Sequence, residues 1–201
     1  QNKNSVTVIP EERWDWKQYY KNSPDEQGKT NVIWGGFLKE VDKFDSDFFG
    51  ISPREAKHMD PQQRIMLELA WKAIEDAGYD PNILAGSRTG VFIGVADDDY
   101  RELNFDKNTT NISQLLTGTA HNILTGRISY FFDFHGPSEP LDNACASSLV
   151  SIIHAVDAIQ NNRCDMALAG GVHIMLNPEI YVAFDNLGIL SADGTCRAFD
   201  K

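Results

Sequence analysis

The stretch "DNACASSL", Asp142 to Leu149, sets a cysteine among small residues where extended sequence gives way to the apolar-periodic run "SLVSIIHAVDAIQNN". Thiolate, not thiol, is the form of cysteine that attacks a carbonyl carbon. Unpaired N–H groups and the positive dipole end at a helix start favour that form. Cys145 is predicted to stand at the first turn of that helix. Ala144, Ala146, Ser147 and Ser148 leave room for a bulky reactant beside the sulfur. Backbone N–H groups at such a turn, that of Cys145 first, can hold a developing oxyanion. The arrangement follows the logic of a nucleophile elbow, without the usual flanking glycines. A small, buried, inert cysteine fits the same residues, so both readings stand at this point.

Cys164 and Cys196 complete the cysteines. Three in number, widely spaced and without a CxxC pair, they argue against a disulfide framework and a structural zinc site, and they fit a reducing cytoplasm. The histidines are His58, His121, His135, His154 and His173. A cysteine hydrolase would need one of them paired with the cysteine and oriented by Asn or Asp. His154 and His173 follow Cys145, but no local signature marks either.

The remaining sequence reads as the elements that position this turn. "DPQQRIMLELAWKAIEDAGYDP" is a helix, with Asp60 as N-cap, Pro61 at the first helical position and Gln63 able to complete a capping box. Gly78 stops it, and Ile65, Leu69, Ala73 and Ala77, with Met66 and Ala70, are expected to form its packed face. "TGVFIGVA" and "CDMALAGGVHIML" read as buried strands, the second carrying a glycine pair where a backbone or ligand can come close. "DDDY" reads as loop, "NISQLLTGTAHNILTGRISYFF" as a helix broken by glycines and followed by an aromatic strand or turn, and "GPSEPLDNA" as extended. In the run after Cys145, the expected apolar side is Leu149, Ile152, Ile153, Val156 and Ile159. Strands alternating with helices imply an α/β layered domain. Residues 1–30, rich in aromatics and charges without a period, read as a surface leader.

The 201 residues are 42% hydrophobic and 23% charged, with a net charge of −11. An acidic balance argues against a nucleic-acid partner, because phosphate contacts need clustered Lys and Arg. No apolar run is long enough to span a bilayer and no signal peptide is visible, so a cytoplasmic protein is expected.

From about residue 31 onward the sequence resembles a known family. "GGFLKEVDKFDSDFFGISPREAKHMDPQQRIMLELAWKAIEDAGYDP", "SRTGVFIG", "LTGRISYFFDFHGPS", "DNACASSLVSI", "MALAGGVHIMLNPE" and "LSADGTCRAFD" are similar, in order, to the start of a β-ketoacyl synthase domain of modular type I polyketide synthases. "RWDWKQYY" and "GPSEP" lean toward modules whose acyltransferase acts in trans. The resemblance implies a thiolase-like fold, αβαβα layered, with a mixed sheet and packed helices. Residues 31–201 would be the N-terminal portion of a domain that continues beyond Lys201. It implies decarboxylative Claisen condensation, an acyl-transferring, C–C bond-forming activity in which Cys145 accepts the acyl chain from a carrier-protein phosphopantetheine. No cofactor would bind directly. The acyl carrier protein, the rest of the synthase and a second copy in a homodimer would be the partners. Two positions depart from the family's usual "DTACSSSL": Asn143 stands for Thr and Ala146 for the first Ser. The family's two catalytic histidines belong to HGTGT and NxGH motifs, and none of the five histidines lies in either. Two alternatives follow: a ketosynthase-like module that binds or passes on the chain without elongating it, or a structural, dimer-forming fragment. Arg54, Lys57 and Arg64 form the nearest basic cluster for an acidic carrier, with a solvated helix face as the competing reading.

Overall fold

The computed structural model describes residues 4–23, 26–105 and 111–199. In chain order these contain β1 (Val6–Val8), β2 (Trp34–Gly36), α1 (Pro53–Ala56), α2 (Pro61–Asp76), β3 (Thr89–Val95), α3 (Asp99–Asn104), α4 (Ile112–Thr119), α5 (His121–Phe132), β4 (Ser138–Leu141), α6 (Ser147–Gln160), β5 (Met166–Val172) and α7 (Glu179–Asn186), with short 3₁₀ turns at Trp16–Tyr19 and Pro81–Leu84. Residues 41–173 make one compact unit, and residues 1–40 with 174–201 make another.

The larger unit is built on β3. All seven of its residues are buried, because it lies in the middle of a parallel sheet of order β4-β3-β5 and is covered on both faces. Val91, Ile93 and Val95 point to one side, where Met59, Met66, Leu67, Ile74, Leu124, Ile128 and Phe132 form the main core. Phe92 points to the other, against Ala155, Ala158 and Cys164. Strand alternation thus assigns α2 and α5 to one face and α6 to the opposite face.

Helix α2 starts where expected. Asp60 Oδ1 accepts from Gln62 N at 2.7 Å, Pro61 opens the helix, and Gly78 ends it with φ +82°. The capping box does not form, because the Gln63 amide is used elsewhere: its Nε2 donates to Thr117 O and Ala120 O, and its Oε1 accepts from Arg127 Nε at 2.9 Å. The packed face is Gln63, Met66, Leu67, Ala70 and Ile74, whereas Leu69 is 46% exposed. Met66 and Ala70 are buried as expected, and the face is turned one residue, ~100° of rotation, from the line of Ile65, Leu69 and Ala73. The "DDDY" segment is also corrected, since Asp99 and Tyr100 open α3.

Burial of Asp60 pushes its carboxyl from an ordinary 3.8 to about 6, against the lowering effects of Gln62, Arg64 and His121. Its folded-state value is raised, so the stability linked to the bound proton is full below about pH 4 and lost as pH rises through about 6. A shift of this size corresponds to ~3 kcal/mol. Asp60→Asn, which keeps a capping side chain, is expected to flatten this fall. Denaturant melts between pH 4 and 7 read it, and an unchanged slope in the variant refutes it.

The glycine-broken run is α4 and α5, but the break falls at Ala120, whose backbone is extended, and the aromatic end, expected as a strand or turn, is helical, since α5 continues to Phe132. Gly118 and Gly126 both lie inside helices. At Gly118 a Cβ would collide with the His58 carbonyl, so glycine there serves a close approach and not a turn.

In the smaller unit, β1 pairs antiparallel with β2, and Ile9, Val32 and Tyr181 form a separate core. Trp14 meets Phe37 and Tyr181 edge-on at 6.0 and 5.6 Å. The Tyr181 hydroxyl donates to Trp34 O at 3.0 Å, and burial pushes the phenol up to about 12. Trp14 and Trp16 thus pack on this core, while Tyr20 is exposed.

Candidate active site

Three parallel strands end at one edge of the sheet, and each hands over there to a segment bearing reactive side chains. β4 leads into Asp142–Ala146, β3 into Ala96–Asp98, and β5 into His173. In open α/β sheets, ligands bind at this carboxyl edge.

Cys145 lies on the first of these segments and is exposed. It stands one residue before Ala146, the N-cap of α6, slightly ahead of the first turn expected for it. Ser147 closes the elbow: its Oγ accepts from Asn143 N at 2.8 Å and lies 2.7 Å from Ala144 O as donor. Asp142 Oδ1 accepts from Ala144 N at 3.0 Å. The sharp backbone falls on Ala144, with φ +50°. A left-handed alanine costs about 1 kcal/mol, and in this elbow it takes the place that a flanking glycine would fill. Asn143 and Ala146, the two departures from the family pattern, are exposed. The serine that holds the turn is one that matches.

The helix behind this elbow turns its small residues to the sheet, and within this chain its apolar side is exposed. Ser147, Ser151, Ala155 and Ala158 are buried, whereas Leu149 is 62% exposed and Ile159 43%. Glycines account for the small residues at this contact. A Cβ at Gly94 of β3 would lie 2.7 Å from the carbonyl carbon of Ser147, and one at Gly171 of β5 would lie 2.8 Å from Ser148 Cβ. Only small residues let α6 approach so closely. Ser151 Oγ, 2.8 Å from Gly170 O, then fastens the helix to β5.

The other two cysteines differ from Cys145 in distinct ways. Cys164 is 2% exposed, and burial pushes its thiol up, so it is a poor nucleophile. Cys196 is exposed but belongs to the smaller unit, after α7. Limited iodoacetamide treatment of the native protein is expected to label Cys145 and Cys196 at least ~10-fold faster than Cys164. Peptide mapping that finds Cys164 labelled equally would overturn this order.

Both histidines that follow Cys145 face carboxylates. His154 Nδ1 lies 3.0 Å from Glu139 Oε2, with Arg163 Nη1 3.3 Å from Glu139 Oε1. His173 Nε2 lies 2.7 Å from Asp97 Oδ2. Of the others, His121 is 3.2 Å from Asp98 Oδ1, His135 is 2.9 Å from Asp133 Oδ1, and His58 Nδ1 is 2.8 Å from Arg54 O. The basic cluster loses Arg64 as a surface feature, while Arg54 and Lys57 are exposed. Arg64 is 8% exposed, donates to Asp42 O at 3.1 Å and lies over the Tyr100 ring. Asp97 escaped the sequence reading because its partner is 76 residues away and no short motif links them. The glycine pair at Gly170–Gly171 was a usable signal, whereas Gly94 was hidden inside a strand.

Sheet, elbow and flanking helices define a thiolase-like α/β fold, and the chain belongs to the β-ketoacyl synthase family: the family model described as "Beta-ketoacyl synthase, N-terminal domain" matches residues 1–201. Its relatives are polyketide synthases. It is 49% identical over 201 residues to the polyketide synthase PksN of Bacillus subtilis, covering 100% of this chain and 4% of that protein. With the polyketide synthase ThaG of Burkholderia thailandensis it shares 43% identity over 196 residues, covering 98% and 4%. Among solved structures, an oxazolomycin ketosynthase domain of Streptomyces albus, OzmH KS7, superposes with a TM-score of 0.85 at 40% identity, covering 96% of this chain and 33% of that one. The ketosynthase from module 6 of the bacillaene synthase of Bacillus subtilis gives 0.82 at 39%, covering 98% and 31%. The chain thus spans about a third of the solved ketosynthases and a few per cent of these two synthases.

Proposed function

We propose that the chain is the cysteine-bearing part of a ketosynthase in a modular polyketide synthase, with residues 1–30 leading into the synthase core and Cys145 as the acyl acceptor. The observation that carries this reading is an exposed sulfur on a closed strand-to-helix elbow at the carboxyl edge of a parallel sheet, in a chain of this family. An acyl thioester arrives on the phosphopantetheine of an acyl carrier protein. The Cys145 sulfur attacks its carbonyl carbon, the oxyanion forms against the Cys145 N–H, and the carrier thiol leaves with a proton as the new thioester closes. One difficult transfer becomes two easier ones. A malonyl-type carrier thioester then loses CO₂ and its carbanion attacks the Cys145 thioester, forming the C–C bond and freeing the sulfur. Histidines of the family's HGTGT and NxGH motifs would assist that second stage. A cytoplasmic homodimer fits this role.

Incubating the intact protein with an acyl-pantetheine thioester, then mapping the mass increment, tests the reading. The expected adduct is on Cys145. An adduct on another residue, or none, refutes it. An adduct on Cys145 that malonyl carrier protein never converts to a condensed product would establish a module that accepts without elongating.

A further inference from the structure

His173 occupies a defined place relative to the elbow. Along β5, Met166, Leu168 and Val172 pack into the main core, while Ala167 packs toward α6 and Gly171 lies beneath Ser148. The two-residue strand period puts His173 in line with Ala167 and Gly171, on the α6 face, one residue past the strand end. Ser148, the residue over Gly171, is only three residues beyond Cys145. His154 is excluded from this region by distance, because seven helical residues place it ~10 Å along α6 from Ser147.

Asp97 fixes the orientation of the His173 ring. Its φ of +64° is the left-handed conformation, which aspartate tolerates better than most residues. Two elements hold it there: Gln62 Nε2 of α2 lies 3.5 Å from Asp97 O, and His121 Nε2 of α5 lies 3.3 Å from the same oxygen. The 2.7 Å contact turns His173 Nε2 to the Asp97 carboxylate, which can only accept, and turns Nδ1 away from it. Nδ1 is then presented without a partner among the described residues. The pair is nearly half exposed, at 42% and 41% of side-chain area, and such ion pairs add little stability.

We infer that His173, oriented by Asp97, is a specificity-determining residue whose Nδ1 hydrogen-bonds a hydroxyl close to the thioester of the acyl chain on Cys145. The inference rests on Cys145 being the acyl acceptor. A hydroxyl both donates and accepts, so it satisfies Nδ1 whichever protonation state the ring holds. A saturated chain satisfies neither and leaves the nitrogen unpaired, which is how polar sites reject analogues lacking the polar group.

The test compares 3-hydroxybutyryl-pantetheine with butyryl-pantetheine on the intact protein, following the initial rate of the mass increment at Cys145. Wild type is expected to load the hydroxylated chain about ten-fold faster. His173→Leu brings the ratio close to one, His173→Gln retains part of it, and Asp97→Asn lowers it, all with thermal melts near wild type because both side chains are exposed. Cys196→Ala serves as the control that keeps the wild-type ratio. A wild-type ratio near one, or a preference that survives His173→Leu, overturns the inference while leaving Cys145 as acceptor. Failure of both thioesters to load wild type overturns the acceptor reading, and this inference with it.

Discussion

Cys145→Ala is expected to reduce acyl loading by at least ~10³-fold, to background, while leaving thermal stability within a few degrees of wild type. The magnitude follows from the chemistry: removing a nucleophile deletes the covalent route altogether, and what remains is uncatalysed transfer. The stability expectation follows from position, because the side chain is exposed and closure of the elbow is carried by Ser147 and Asp142. Cys164→Ala and Cys196→Ala retain loading. Intact-protein mass spectrometry after exposure to an acyl-pantetheine thioester reads all three variants together. Persistence of the adduct in Cys145→Ala would mean that another residue accepts the chain.

Gly94→Ala is expected to have nearly as large an effect from inside the sheet. The added Cβ would meet the Ser147 carbonyl carbon at 2.7 Å and Ser148 N at 2.9 Å. Both are backbone atoms, which cannot rotate out of the way, so the start of α6 must lift. Overpacking of this kind costs about 1–3 kcal/mol. A displacement of the sulfur by even ~1 Å can cost a hundred-fold in rate, and Cys145 is two residues from the point of impact. Gly170→Ala is the matched control, since a Cβ there meets nothing within 4 Å. Loading that falls in Gly94→Ala and holds in Gly170→Ala supports the seat. Equal behaviour in the two would show that α6 is free to adjust.

These two predictions also show what the sequence could disclose and what it could not. Local chemistry was legible: Asp60 and Pro61 start α2 as read, "TGVFIGV" is the buried central strand, and the turn at Cys145 precedes a helix. Facing was not legible wherever a distant partner decided it. On α6, glycines in β3 and β5 demand serine and alanine opposite them, so small residues and not the apolar run face this sheet. Gln63 had the right spacing for a capping box, but Arg127, Thr117 and Ala120, more than fifty residues away, take up its amide. The Asp97–His173 pair likewise spans two crossovers, and only adjacency of β3 and β5 in the sheet brings it together.

One consequence of the shared strand ends concerns how such a protein can change. The three segments that meet at that rim hang from a sheet whose own residues they do not alter. Exchanging a side chain on one of them retunes what is admitted or rejected without asking the scaffold to fold anew. A protein built this way can change what it accepts while keeping its frame, with the glycines beneath α6 among the few letters it cannot revise cheaply.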